Sequence, residues 1–254
     1  VKGVRELVLE ISCTGENYKA FAVWFEPRLT LAGTNNGQST GVASPTNVPT
    51  NSIAHLLTSP DFEWTTPEKL GPDVNSTGFE EHPELTTDSL KLWFSGGGEL
   101  WISSRDSVDA PFGKRTNAGS QINDGSSWDS DPTLSANRTT LVFTSDRGTN
   151  KQDQNLWMSN RSSINGVFGR PVKLNDEINT SVPEMSPALS ADGLTLIFTS
   201  YRPGGSGDFD LWQATRASTS AEFGNVTNLG PTINSPNRDT GAHLSSDGLV
   251  LLLE

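Results

Sequence analysis

The chain has 254 residues and a formal net charge of −12, with 33% hydrophobic residues. An acidic chain of this kind is a poor partner for a nucleic-acid backbone or an anionic membrane surface, because both require a basic patch. Cys13 is the only cysteine, which excludes an intrachain disulfide and a cysteine-based zinc site. No run of about eighteen apolar residues is present, so we expect no membrane span, and no signal peptide is visible. Cations, neutral sugars and proteins are left as partners.

Two strands are predicted near the start of the chain, over residues 5–11 (RELVLEI) and 19–24 (KAFAVW). Residues 36–52 are rich in Gly, Ser, Thr and Asn and nearly featureless. A segment of that composition between patterned regions predicts loops and, at most, a degenerate structural unit.

From residue 79 onward the sequence repeats a unit of about fifty residues, a period typical of propellers and other repeat architectures. The best copies contain SPALSADGLTLIFTS at 186–200, and DPTLS at 131–135 with LVFTS at 141–145; weaker copies start at HPEL (82–85) and AHLS (242–245). Each good unit has four short apolar segments, and a hairpin turn, clearest at Asp192-Gly193 and Asp247-Gly248, joins the first to the second. The third segment contains a Leu-Trp pair, at 100–101, 156–157 and 211–212. Four strands per unit predict an all-β fold, a β-propeller with one blade per unit.

The number of blades is predicted from one constant spacing. The fourth segments begin at Phe112, Phe168 and Phe223, each eleven residues before an asparagine, and the same spacing leads from Trp64 and Trp24 to earlier asparagines. The five anchors are Asn35, Asn75, Asn123, Asn179 and Asn234, which predict five blades of four antiparallel strands in one domain over residues 1–254. The chain ends after the second strand of a unit, so we expect the N-terminal strands to complete the C-terminal blade. That closure leaves no open sheet edge; a truncated last blade is the alternative.

These units resemble the TolB-type, WD-like propeller repeats of bacterial extracytoplasmic proteins. The matching residues are the segment 186–200, then Tyr201-Arg202-Pro203-Gly204-Gly205, then Asp210-Leu211-Trp212. The resemblance implies a propeller in the periplasm, at the cell surface or secreted. It implies little about chemistry, because such repeats occur in docking proteins, in modules beside hydrolases and in a few lyases. One unit departs from the pattern: Gly96-Gly97-Gly98 replaces the Asp/Tyr-Arg step, so we expect that side of the ring to be lower and more open.

Candidate binding residues follow from the repeat frame. Three positions before each proline position stands an acid, and these acids are Glu80, Asp129, Glu184 and Asp239. We expect them near one mouth of the channel, on the face whose loops carry Arg147 and Arg202. They either form ion pairs between blades or make a polar ring that binds a cation or the hydroxyls of a ligand. Because the acids outnumber the two arginines, we expect unpaired carboxylates around Glu80 and Glu81. Asp131 and Tyr201 complete the candidate ligand-binding set.

Three other patterns are interpreted as structural. On the opposite face we expect the hairpin acids Asp88, Asp192 and Asp247 to approach Arg105, Arg161 and Arg216. The loop 204–210 (GGSGDFD) has the oxygen ligands that calcium takes, but an aspartate capping a glycine-rich turn is the favoured interpretation. His55, His82 and His243 are expected to be structural, and no Gly-x-Ser-x-Gly elbow supports a nucleophilic triad. We predict no cofactor and no metal site.

The sequence therefore predicts a monomeric, non-catalytic recognition module that binds a protein or a glycan through its loop-rich face. A carbohydrate-active enzyme, either a glycosidase or a lyase, is the first alternative. It requires two acids in one pocket without arginine partners, at least one with a raised pKa, and it fails if every ring acid pairs with arginine. A structural spacer in a longer surface protein is the second, and it predicts no concave pocket beyond the channel.

Overall fold

The structure, a computed structural model, describes residues 68–148 and 153–253 together with the backbone of two short strands. These two strands, β1 (Leu29–Leu31) and β2 (Phe62–Trp64), pair antiparallel, with Leu29 opposite Trp64. The predicted strands at 5–11 and 19–24, the segment 36–52 and the anchor Asn35 lie outside the described residues. Within the described part of the chain the fold is all-β, and no helix there is long and apolar enough to cross a membrane.

Three four-stranded antiparallel sheets follow one another along the chain. The first contains β3 (Glu80–Leu85), β4 (Lys91–Gly96), β5 (Glu99–Ser104) and β6 (Thr116–Asn117). The second contains β7 (Asp129–Leu134), β8 (Thr140–Ser145), β9 (Asn155–Asn160) and β10 (Val172–Lys173). The third contains β11 (Glu184–Leu189), β12 (Thr195–Ser200), β13 (Asp210–Thr215) and β14 (Gly224–Asn228). The predicted four-strand unit is confirmed in all three.

A fourth sheet contains β15 (His243–Leu244) and β16 (Leu251–Leu252). The strands β3, β7, β11 and β15, here called the inner strands, contact one another in that order, β3 with β7, β7 with β11 and β11 with β15. Successive sheets are therefore arranged side by side through equivalent strands, as propeller blades are.

The hydrophobic core lies between neighbouring sheets. Phe143 and Leu141 of the second sheet pack with Trp93 and Leu100 of the first, and a second cluster joins the second sheet to Phe198 of the third. The middle strand β8 is buried along its whole length, because sheets cover both of its faces. For this reason the second strands contain three consecutive apolar residues, as in Leu141-Val142-Phe143, and do not alternate.

A bulge explains the Pro-x-Leu motif of the inner strands. Their ladder shifts register between Glu81 and Glu84, and at the equivalent places in β7 and β11. The residue before the proline position has a positive φ in all four units: 49° at His82, 52° at Asp131, 48° at Ser186 and 66° at Gly241. Proline lacks an N–H for the ladder, so a bulge is the place in a sheet that tolerates it. The motif therefore turns one side chain per unit out of the regular pleat.

The asparagine anchors fasten each sheet to the turn before the next inner strand. Asn123 Oδ1 accepts from the Leu100 backbone N–H at 2.9 Å, and its Nδ2 donates to the Leu100 carbonyl at 3.0 Å. Asn179 clamps Leu156 and Asn234 clamps Leu211 in the same way. Asn75 is also buried, and its Nδ2 donates to the Leu70 carbonyl. Asn123, Asn179 and Asn234 are thus structural clamps on the third strands.

Candidate functional site

The four ring acids lie at equivalent places, at or just before the first residues of the inner strands. We call the face that carries them the acid face. All four side chains are buried, with exposed fractions of 2% at Glu80, 0% at Asp129 and Glu184, and 6% at Asp239. A hydroxyl four residues earlier donates to three of them, from Ser76 to Glu80, Thr180 to Glu184 and Ser235 to Asp239. These carboxylates therefore order the turns that lead into the inner strands.

Arg147 and Arg202 neutralise two of the ring acids, each within its own sheet, so the expectation of ion pairs between blades is wrong for these two arginines. Arg147 Nη2 lies 2.5 Å from Asp129 Oδ1, and Arg202 Nη2 lies 3.2 Å from Glu184 Oε1. Each guanidinium also donates to the carbonyl of the isoleucine before an anchor asparagine, Ile122 or Ile178. Each stacks near the tryptophan of its own sheet, Trp157 at 5.5 Å or Trp212 at 5.3 Å. Burial raises the pKa of Asp129, which Arg147 partly offsets.

The expectation of an unpaired carboxylate at Glu80 is wrong. Arg115 Nη1 lies 2.7 Å from Glu80 Oε1, and its guanidinium stacks 4.5 Å from the centre of Trp101. Arg115 directly precedes β6, at a position that Pro171 and Val226 occupy in the next two units. The neighbouring Glu81 is partly exposed, 34% at its side chain, and lies 3.8 Å from His82 Nδ1. Among the described ion pairs none involves Asp239, which accepts from the backbone N–H of Ser235 at 2.8 Å.

Two histidine–carboxylate pairs connect the inner strands of different sheets, which the sequence did not predict. His82 Nδ1 lies 2.8 Å from Asp131 Oδ1, within ion-pair distance, although the two atoms are not aligned as a directed hydrogen bond. Both residues have the positive φ of the bulge, so the bulge is what aims them at each other. Burial acts to raise the pKa of Asp131, but the charge of His82, with hydrogen bonds from neighbouring side chains, outweighs it and lowers the pKa.

The second pair is Glu84 with His243, whose Nδ1 lies 3.5 Å from Glu84 Oε2. This contact joins β3 to β15, the first and the last of the inner strands described. Glu84 also accepts from the Leu134 backbone N–H at 3.0 Å and faces the Thr133 hydroxyl at 3.4 Å. Burial raises the pKa of Glu84, and His243 opposes the shift. No arginine appears in the described contacts of Glu84 or Asp131.

Exposed aromatic side chains mark the acid face. Among the described residues three are at least 36% exposed: Phe79 at 49%, Trp128 at 52% and Tyr201 at 49%. Phe79 and Trp128 directly precede ring acids, and Tyr201 follows the end of β12, which pairs with the start of β11. The other exposed large hydrophobics are aliphatic, for example Val108 and Val167 in loops of the opposite face. The sequence analysis found Tyr201 but missed Phe79 and Trp128, although both stand directly before a ring acid.

The glycine-rich loop is a capped turn. Asp210 accepts from the backbone N–H groups of Ser206 and Gly207, and from Asn228 Nδ2 at 3.1 Å. A Cβ at Gly205 would lie 1.7 Å from Asp210 Oδ2, and one at Gly207 would lie 1.7 Å from the Asn237 carbonyl oxygen. The glycines are therefore required by close approach, and the carboxylate is occupied by N–H donors. Within the described residues no cluster of three or more His, Cys, Asp and Glu side chains is arranged to hold a metal.

On the opposite face the arginines have other partners than predicted. Arg161 and Arg216 donate through Nε to the carbonyls of Arg138 and Gly193 at 2.7 Å, so the expected pairing of these two with hairpin acids is wrong. Each lies 4.4 Å from the centre of a phenylalanine ring, Phe168 or Phe223. Asp192 accepts from the Ser190 hydroxyl and the Leu194 N–H of its own turn, and Asp88 pairs with Arg138 at 2.6 Å. This face is a structural scaffold.

A cavity of about 200 Å³ lies away from the acid face, lined by residues including Met158, Val172 and Phe223. It is smaller than the roughly 300–1,000 Å³ of ordinary ligand pockets. We therefore place the candidate site on the acid face.

No protein-family model and no curated protein matches the chain. Several solved structures are similar at low identity. The protein assigned as TolB from Agrobacterium tumefaciens is 15% identical, with a TM-score of 0.45 over 68% of this chain and 52% of that one. An α-L-arabinofuranosidase from Podospora anserina, solved with cellotriose, is 12% identical, with a TM-score of 0.46 over 78% and 69%. The Swd1 β-propeller domain from Myceliophteria thermophila is 12% identical, with a TM-score of 0.39 over 66% and 45%. The chain thus spans about half the length of the first and third; no function is transferred from any of them.

Proposed function

We propose that this chain is a five-bladed β-propeller closed by its N-terminal strands, and that it is a monomeric, extracytoplasmic recognition module. Its ligand is a protein or a glycan, bound without catalysis on the acid face. The candidate ligand-binding residues that are accessible there are Tyr201 and Glu81; Glu80, Asp129, Glu184, Asp239, Arg147 and Arg202 form the polar layer beneath.

The observation that carries this proposal is that buried, mostly neutralised acids lie beneath exposed aromatic side chains on the acid face. Three of the four ring acids are neutralised by arginine, and all four are buried. Above them, the exposed aromatic residues of the described chain are gathered on that one face. Aromatic side chains offer large contact area at a small cost in conformational entropy, which is why they are enriched in recognition surfaces.

The proposal is tested on native gels cast with a panel of plant, algal and bacterial polysaccharides, followed by staining of the glycan. Retarded migration over intact glycan is the expected result. The Phe79→Ala/Tyr201→Ala double variant should migrate as in a glycan-free gel, whereas Val108→Ala/Val167→Ala, which truncates two exposed residues of the opposite face, should be retarded as the wild type is.

Two other outcomes change the proposal in different ways. If no glycan retards the protein, the ligand is a protein, and a photo-crosslinker placed at Tyr201 should then capture a partner that one placed at Val167 does not. If both double variants lose retardation equally, the acid face is not the binding surface.

A carbohydrate-active enzyme is the second candidate, and the inner-strand carboxylates favour it. Asp131 and Glu84 are nearly buried, lie on adjacent inner strands and pair with histidines instead of arginines. The pKa of Glu84 is raised by burial and that of Asp131 is lowered, and opposite shifts of this kind separate a general acid from a carboxylate base. A cleared track in the glycan-stained gel would identify this activity, and Glu84→Gln and Asp131→Asn should each abolish the clearing while leaving retardation in place.

A further inference from the structure

Trp128 lies on the acid face directly before β7, with its indole packed on a glycine turn. A Cβ added at Gly98 would lie 3.0 Å from Cε3, 3.4 Å from Cδ2 and 3.5 Å from Cζ3 of Trp128. Because these three distances are nearly equal, Gly98 lies under the face of the ring and not beyond its edge. Gly98 is buried, yet 52% of Trp128 is exposed. One face of the indole is seated on the turn and the other faces solvent.

The backbone on both sides of the indole is held in place. The Trp128 N–H donates to Asp146 Oδ1 at 2.7 Å, and the Asp146 N–H donates back to the Trp128 carbonyl at 3.3 Å. The next residue, Asp129, donates its N–H to the Gly98 carbonyl at 2.9 Å. The ring is therefore preorganised. Stacking a ligand on it loses little of the conformational entropy that ordering a mobile side chain would cost.

The polar groups beside the indole are acceptors with negative charge. Asp146 is hydrogen-bonded to Trp128 itself. Asp124 accepts from the backbone N–H groups of Ser126 and Ser127, two residues that lead into Trp128. Burial acts to raise the pKa of Asp124, but these hydrogen bonds outweigh it and the pKa is lowered. Arg147, the arginine that follows Asp146 in the sequence, is engaged by Asp129 and by the Ile122 carbonyl. The surroundings repel anions and accept hydrogen bonds from hydroxyl groups.

We propose that Trp128 is the stacking platform of a site for a neutral saccharide, which rests on the recognition function proposed for the acid face. A pyranose ring presents a flat C–H surface that fits an exposed aromatic face, and its hydroxyls are donors for Asp146. Asp124, which already accepts from the N–H and O–H groups of Ser126 and Ser127, contributes negative charge. An acidic glycan carries the wrong charge for these carboxylates. A protein anchor residue usually fills a pocket in its partner, whereas this indole lies flat on its turn and offers no projecting side chain.

The test is calorimetric titration, with tryptophan fluorescence in parallel, of cellohexaose, xylohexaose and mannohexaose, against hexagalacturonate as the anionic comparison. We expect at least one neutral hexasaccharide to bind and to change the emission, and hexagalacturonate not to bind. Trp128→Ala should weaken binding at least tenfold, and Trp128→Phe, which keeps a flat ring, should weaken it less. Val167→Ala, exposed on the opposite face, is the matched control and should bind as the wild type does. Thermal unfolding of each variant confirms that it is folded.

The outcomes separate this inference from the proposed function. If Phe79→Ala and Tyr201→Ala weaken binding but Trp128→Ala does not, the acid face is a recognition surface and the Trp128 platform is wrong. If none of the three has an effect, both are wrong. Preference for hexagalacturonate, or no binding of any neutral hexasaccharide, also overturns the platform, and in the latter case a protein is the ligand class left for the acid face.

Discussion

In both the first and the second described sheet, an arginine pairs with the buried carboxylate at the start of the inner strand. The two arginines come from different segments of the repeat. In the second sheet, Arg147 comes from the loop after β8 and pairs with Asp129. In the first sheet that loop is the two-residue turn Gly97-Gly98, and Arg115, just before β6, pairs with Glu80 instead. In both sheets the guanidinium lies beside the tryptophan of the third strand, Trp157 or Trp101.

The difference shows what is fixed in this architecture and what is free. Glu80 and Asp129, both buried at the start of an inner strand, each pair with an arginine, and the two arginines reach them from different segments of the repeat. Once Arg115 supplies the charge, the loop after β4 can shrink to a turn. Trp128 occupies the space above that turn. Its indole therefore lies on the side of the ring that was expected to be lower and more open.

Replacing the arginines of the buried ion pairs should lower the free energy of unfolding most strongly. Arg147→Met and Arg202→Met each leave a carboxylate with no exposed surface unpaired, which costs about 3–5 kcal/mol of unfolding free energy. Arg115→Met should cost less, because Arg115 is 23% exposed against 11% for Arg147 and 10% for Arg202, so water reaches the pair more easily. Chemical denaturation measures these differences.

The control for the arginine variants is Arg138→Met, whose partner Asp88 is 35% exposed and whose loss should cost no more than about 1 kcal/mol. Equal losses in all four variants would mean that burial does not set the strength of these pairs. In the double variant Glu184→Gln/Arg202→Met, much of the lost stability should return, because no buried charge is left.

Removing an asparagine clamp should lower the free energy of unfolding equally in the first and second sheets, in contrast to removing an arginine. Asn123→Ala and Asn179→Ala each leave the backbone N–H of a buried leucine unpaired, at a cost of about 1–3 kcal/mol, whereas the leucine carbonyl still accepts from the N–H of Ala118 or Leu174. Asn75→Ala is the internal control: among the described residues Asn75 Oδ1 has no hydrogen-bond partner, so less is lost. A cost at Asn75 matching the other two in thermal unfolding would contradict the clamp as the source of stability.

The packing of the Trp128 indole on the turn beneath it can be tested by substituting the two adjacent glycines of that turn. Gly97 and Gly98 both have positive φ, +62° and +81°, but a Cβ at Gly97 meets open space and one at Gly98 meets the indole. Both alanine variants should lose about 1–2 kcal/mol from backbone strain. Only Gly98→Ala should also increase acrylamide quenching of tryptophan emission. If Gly97→Ala raises quenching as much, the indole does not depend on the turn beneath it.

The smallest change in stability is expected on replacing Glu84, an inner-strand carboxylate whose partner is a histidine and not an arginine. The pKa of Glu84 is raised in the folded protein, so its contribution to stability is complete below the pKa of the unfolded chain and is lost as pH rises through the folded value. Glu84→Gln removes this dependence. The melting temperature of the variant, relative to the wild type, should therefore rise by a few degrees between about pH 4 and pH 7. A difference that is constant with pH would show that Glu84 does not titrate in this range.

Several functional contacts were predictable because the repeat carried them. Asp129 with Arg147 and Glu184 with Arg202 were expected on one face, and both pairs form there. Arg115 was not expected, because it stands at a position where the other units show no arginine. The hairpin arginines were assigned to acids, whereas a nearby carbonyl, fixed by the positive φ of Arg138 or Gly193, is the geometrically better acceptor.

What the sequence determined by itself is local and periodic: the four-strand unit, the tight turns, the asparagine at a constant distance, and one acid at the start of each inner strand. These follow from short-range hydrogen bonding and from apolar patterning, which each unit carries in its own residues. The contacts between units became visible only in the folded chain: His82 with Asp131, Glu84 with His243, and Trp128 on Gly98. Those contacts depend on how closely the inner strands and loops of neighbouring sheets approach one another, and that distance is not encoded within a single repeat.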